Sequence, residues 1–421
     1  MEISKKRHIL PLALASLLIS MLLVACGDDG DSPAPATATP TRRTAPDTPE
    51  TTAVPSVVAT AAATGPPTVS VPALRLQVVN VVSGESRSLP VGFPGLGRDV
   101  AWSRDSRELA VAGVGLDAGM IDGGPFSRLW PSNCFDVEWS PTQDLLAAAC
   151  ADGLVVLDSG GRQLATDLVA PLSWAGLSPW LHWSPDGHTI AYGVANAPIQ
   201  LLQNDGGRDV IAGSFNGGQW LSDGRLASIE QADYRSPATI RIHDPARNFE
   251  EVTSVMTPAA PYAIAIGRDG RSVAYAVYGE AQAASRILPS TVVIADLATG
   301  KTVASFAAYG SNYGPGSFSP DGSSLVVQTD VCGADWSLGL ASLTGTIRTL
   351  ARGGVMHAKV SPDGSLVGFT RGTELWVVAS DGGSPARRLA EGVHGPAGFD
   401  WSPDSQTISY QPFFGGFDQC P

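Results

Sequence analysis

The chain has 421 residues, 43% of them hydrophobic, which is enough for a large core or several small ones. Only 16% are charged, while Gly (47) and Pro (32) are frequent, so the chain turns often and long helical bundles are disfavoured. The net charge of −13 repels phosphate backbones and argues against nucleic-acid binding.

The first element is an export segment. Lys5, Lys6 and Arg7 form a positive start, and residues 9–24 are apolar except for Pro11, Ser16 and Ser20. That run is slightly short for a membrane-spanning helix. It meets Leu23-Val24-Ala25-Cys26, which resembles the lipobox of bacterial lipoproteins. The resemblance implies cleavage before Cys26 and acylation of its thiol, so residues 1–25 are read as a signal peptide. The implied mature protein is held to a membrane on the extracytoplasmic side, in the cell envelope, through the lipid on Cys26. Loss of three basic residues and Glu2 leaves it near −15.

Residues 26–73 follow as a tether. Residues 27–72 hold nine Pro and ten Thr and almost no large apolar side chain, so they cannot bury enough surface to fold. Asp28, Asp29 and Asp31 read as a solvated acidic run, because no EF-hand spacing follows.

Residues 74–421 repeat one unit: an aromatic or β-branched head, then Ser-Pro-Asp-Gly or a variant, then an aliphatic pair. Clear copies are Trp183-Ser184-Pro185-Asp186-Gly187, Phe318-Ser319-Pro320-Asp321-Gly322 and Val360-Ser361-Pro362-Asp363-Gly364. Trp401-Ser402-Pro403-Asp404 ends the series, with Ser405 in place of Gly. Weaker copies begin at Trp102, Trp139, Trp220 and Ile266, and successive starts lie 37 to 52 residues apart. Pro presets the turn, Asp tolerates its second position, and Gly supplies a left-handed residue, so each unit predicts a β-hairpin. A second hairpin follows in most units, as in residues 291–304 around Gly300. Four short strands per unit is the spacing of a propeller blade.

These repeats resemble the TolB-type β-propeller, related in architecture to WD-repeat propellers. The expected fold is an all-β propeller of four-stranded blades, eight in number with seven as the alternative. A first outer hairpin (residues 74–91) precedes every inner one, and the chain ends soon after the last inner one. The N-terminal strands are therefore expected to close the last blade. The outer hairpin at residues 118–131 is Gly-rich and barely strand-like.

Cys134, Cys150, Cys332 and Cys420 lie in a domain expected to be exported, where disulfides persist. Cys134 and Cys150 flank one hairpin and should pair; Cys332 with Cys420 is left by elimination. No Cys-x-x-Cys pair exists. All four cysteines are expected on the connections at one face, with Trp174, Trp180, Tyr234, Tyr309, Tyr313, Trp336, His357 and His394. That face, around the channel mouth, is the expected ligand surface. The competing reading is that these aromatics pad the seams between blades.

No Gly-x-Ser-x-Gly, His-Glu-x-x-His, phosphate loop or dinucleotide fingerprint occurs, so no catalytic residue, metal site or cofactor is assigned. The repeated Asp residues are expected to cap turn N–H groups, and the Trp heads to pack between blades. The expected role is non-enzymatic: a module binding an envelope protein, peptide or glycan. The alternative is an extracytoplasmic propeller enzyme of lactonase, lyase or glycosidase type with an axial site, motivated by the His357 and His394 pair.

Overall fold

A computed structural model describes residues 75–92, 99–167, 179–233, 235–278, 289–309, 317–329, 337–393 and 399–411. They form eight antiparallel sheets arranged in a ring, and no α-helix occurs among them. Six sheets are consecutive four-stranded meanders. The first blade runs from Val100–Trp102 to Phe126–Trp130, and the second from Cys134–Trp139 to Gln163–Asp167. The third begins at Trp180–Trp183, the fourth at Gly217–Trp220, the fifth at Pro261–Ile266 and the seventh at Val355–Val360. The sixth has three strands, starting at Ser324–Thr329, and an isolated Phe318–Leu325 bridge marks its innermost position. The eighth blade mixes the two ends of the chain. Arg75–Asn80 pairs antiparallel with Thr407–Tyr410, with Gln77 opposite Tyr410 and Asn80 opposite Thr407. The eight-blade count and the closure by N-terminal strands both hold.

Burial explains why these stretches are strands. Middle strands such as Leu145–Cys150 and Gly153–Asp158 are apolar along nearly their whole length, because each blade is covered on both faces. Outer strands such as Arg208–Phe215 carry few buried residues. The core is divided accordingly. Eight apolar clusters each straddle one seam between neighbouring blades. The doubtful hairpin at residues 118–131 does form, as Leu116–Met120 with Phe126–Trp130. Gly119 lets the strands close: a Cβ there would lie 2.8 Å from both the Phe126 ring and the Pro125 carbonyl. The Arg128 guanidinium grips both Asp117 oxygens, at 2.6 and 3.1 Å.

The Trp heads lie in the seams. Trp102, Trp139, Trp183, Trp220 and Trp401 are all buried. The Trp183 indole N–H donates to Glu138 O of the preceding blade at 3.0 Å, Trp220 to His182 O at 2.9 Å, and Trp401 to Lys359 O at 3.2 Å. Trp102 donates to Ser409 Oγ at 3.2 Å across the closing seam.

The repeated turn is a small hydrogen-bond device. Ser103 Oγ donates to Asp105 Oδ1 at 2.8 Å, Arg107 N donates to the same oxygen, and Glu108 N donates to Ser103 Oγ. The turns at Ser361 and Ser402 repeat this pattern. The Ser hydroxyls hold Asp105 and Asp321 below the usual carboxylate range. Their folded pKa is depressed, so this contribution is present above about pH 4 and is lost as the pH falls through the folded value. Gly187 takes the left-handed position with φ of 70°, and a Cβ there would overlap Thr142 Oγ1 at 2.1 Å. Ser106 and Ser405 hold the same conformation without being glycine, at φ of 63° and 62°. Their hydroxyls explain the exception. Ser405 Oγ accepts from Asp363 N of the seventh blade, and Ser106 Oγ accepts from Asp404 N of the eighth, each at 3.1 Å. Both bonds lie on the two seams that flank the closing blade.

Cys134 and Cys150 face each other in register and form a disulfide at a sequence separation of 16. They are the end residues of strands rather than members of connections, because the pairing of the inner hairpin extends to both. Cys332 and Cys420 lie outside the described residues.

Two outcomes are expected. Ser405→Ala keeps the strained backbone and loses the inter-blade bond, so it lowers stability by about 1–2 kcal/mol in urea titrations; Ser405→Gly relieves the strain and costs less. Cys134→Ala with Cys150→Ala lowers stability by about 3 kcal/mol, seen as a lower melting temperature that reductant no longer changes.

Candidate functional site

The innermost strand of each blade has a free edge facing the axis, and its N–H and C=O groups need partners. Side chains of one blade supply them to the next. Asp136 Oδ2 accepts from Leu181 N, and Glu138 Oε2 accepts from Trp183 N, both at 2.8 Å. Gln219 Nε2 donates to Ile266 O at 3.2 Å. Lys359 Nζ meets Asp400 Oδ1 at 3.2 Å across the seventh seam. Strand alternation causes this: the Trp head turns to the preceding blade, so the residue before it turns to the following one.

The result is a charged set along the channel, comprising Asp99, Asp136, Glu138, His182 and Asp400. The His182 ring lies 3.6 Å from Glu138, through Nδ1 and Oε2. Asp99 is open to water yet ringed by protein. Enclosure, the charge of Asp136, a hydrogen bond with Asp136 and the charge of Asp400 together hold its pKa well above the usual range. Asp99 and Asp136 therefore titrate as a pair. Asp136 is itself raised, by burial that outweighs its bond to Asp99, the nearby His182 and the Leu181 N–H. Burial lowers the pKa of His182, but Glu138 and Asp136 more than compensate, so its net shift is upward. The set offers an entering molecule several carboxyl groups with an imidazole beside them. No group of three or more His, Cys, Asp or Glu is arranged to hold a metal among the described residues.

Of the ligand-face residues singled out from sequence, Trp180, Tyr309 and His357 lie among the described residues. Trp180 opens an inner strand, its ring 6.0 Å from that of His182 and against Gly218 of the fourth blade, so it pads a seam. Tyr309 ends the outer strand Thr302–Tyr309. His357 was expected on a connection but lies inside the inner strand Val355–Val360. It sits in a bulge between Met356 and Lys359, with φ of 47°, because two residues there face one on the partner strand. Trp174, Tyr234, Tyr313, Trp336 and His394 lie outside the described residues, and the proposed pairing of His357 with His394 lies outside them too. Sequence reading passed over Asp99, Asp136, Glu138 and His182. A signal for the last two existed: each stands immediately before a Trp head.

Asp99→Asn tests the raised pKa of Asp99. The raised folded pKa means that the folded state keeps a proton the unfolded chain has already lost, so this group's contribution to stability falls as pH rises above about 4. Asn imitates the protonated form. Thermal melts should show the variant equal to the parent near pH 4 and more stable near pH 8; equal melting temperatures at both would rule the raised pKa out.

Comparison with known proteins agrees with this architecture. Residues 137–217 match the family described as the anaphase-promoting complex subunit 4 WD40 domain. No curated protein matches the chain. Among solved structures the chain is similar to one titled Structure of Dos1 propeller, at 14% identity and a TM-score of 0.54, covering 77% of this chain and 95% of that one. It is also similar to a crystal structure of a eukaryotic initiation factor (11% identity, TM-score 0.47, covering 80% and 98%). A third is a crystal structure of a mitotic checkpoint complex (17%, 0.45, 87% and 99%). Identities this low speak for the fold alone. The ring of eight sheets and the propeller neighbour show the fold, a β-propeller, and within it residues 137–217 match a WD40 repeat family.

Proposed function

We propose that the chain is a lipid-anchored, TolB-like propeller that binds an envelope protein, peptide or glycan at the channel mouth and its surrounding rim. Residues 1–25 act as the signal peptide, Cys26 carries the lipid, and residues 26–73 space residues 74–421 from the membrane. One observation supports the binding role above others. The Trp heads and turn Asp and Ser residues of the repeat are spent on seams and turns, which makes them scaffold. A charged set, Asp99, Asp136, Glu138, His182 and Asp400, stands at the channel besides these. The Cys134–Cys150 disulfide supports an oxidising, extracytoplasmic compartment.

Two measurements test the proposal. Cys26→Ser should abolish incorporation of a clickable fatty acid and move the protein from the membrane fraction to the soluble one; unchanged labelling refutes the anchor. A photo-crosslinking residue at Asn133, on the channel-mouth rim, should give discrete adducts in cells. The same residue at Asp205, on the opposite rim, should give none. Adducts from Asp205 alone would place binding on the wrong face.

A further inference from the structure

We propose that the side cleft between the third and fourth blades binds an organic cation on an apolar stem, of the arginine-like guanidinium class. The cleft holds about 380 Å³ and lies away from the axis, between the strand Arg208–Phe215 and the three outer strands of the fourth blade. It is a separate site and does not rest on the rim reading above.

Its charge balance specifies the ligand. Asp209, Glu230 and Glu251 line the cleft against a single cation, Arg241. Arg241 is already answered. Its Nε and Nη2 reach Glu230 Oε2 at 2.9 and 2.6 Å, and its Nη1 reaches Glu251 Oε2 at 2.5 Å. An added anion would find no free positive group there. His243 also lines the cleft, but burial lowers its pKa and favours the neutral ring. Its two nitrogens are taken, by Ser228 Oγ at 2.8 Å and by Phe249 O at 3.2 Å. Asp209 accepts only from its neighbour Val210 N, at 2.8 Å, and no cation stands against it among the described residues. Three carboxylates against one guanidinium leave an excess negative charge in a partly enclosed space.

The walls specify the stem. Phe249, half-buried, forms the apolar edge beside these carboxylates, with the buried Phe215 behind it. Phe249 holds a left-handed backbone with φ of 58°, unusual for a bulky residue. That conformation accompanies an edge-on contact of its ring with Trp220, at 6.2 Å. A guanidinium can lie on an aromatic face while its N–H fork meets a carboxylate. The cleft already shows the second half of that geometry with its own Arg241.

Isothermal titration of the full chain in detergent with N-acetylarginine methylamide, and with the uncharged citrulline analogue of the same shape, tests the site. The arginine compound should bind saturably and the citrulline compound about tenfold more weakly. Asp209→Asn keeps the size and the bond to Val210 N, so it should fold normally. It should weaken arginine binding about fivefold. The Trp220 indole resonance, beside Phe249, should move with the arginine compound. No saturation, equal binding of citrulline, or an Asp209→Asn variant that binds unchanged would each overturn the proposal.

Discussion

The seam between neighbouring blades is the interaction on which the rest depends. A four-stranded sheet with two apolar faces cannot stand alone in water, because both faces would stay wet. Stacking the sheets around an axis covers every face, provided the ring closes. Eight clusters, one per seam, are the outcome of that requirement. Indole N–H groups reaching the preceding blade add direction to a force that otherwise has none.

Closure places special demands on the blade made from both chain ends. Its inner strands, Phe399–Trp401 and Thr407–Tyr410, come from one end of the propeller sequence, and its outer strands, Arg75–Asn80 and Ser86–Gly92, from the other. The pairing of Arg75–Asn80 with Thr407–Tyr410 joins them by backbone hydrogen bonds across two chain ends, with no turn between the strands. The two left-handed serines appear on the seams at either side of this blade. A strained backbone is tolerated there because its hydroxyl satisfies a turn N–H in the neighbour. Where no such bond is made and space is short, as at Gly187, glycine is required.

Closing the ring also gathers eight inner edges around one axis. Carboxylates and amides of one blade satisfy the open N–H and C=O groups of the next, and the same reach brings Asp99, Asp136, Glu138 and His182 together. A polar channel is thus a consequence of edge satisfaction. The raised pKa of Asp99 follows from placing acids of two blades side by side in an enclosed space.

The sequence by itself determined the repeat, the turn chemistry, the all-β class and even the strand exchange at closure. Each of these is local, or follows from counting hairpins along the chain. It also determined the Cys134–Cys150 pair, since both residues sit on one hairpin. It did not point to the channel acids, because Asp99, Asp136 and Asp400 are separated by up to 301 residues and meet only around the axis. His357 moved from a loop into a bulged strand for the same kind of reason: its partner strand sets the register. Tertiary structure alone decided which charges face one another. Strand alternation is written in the order of residues, whereas the distance between two blades is not.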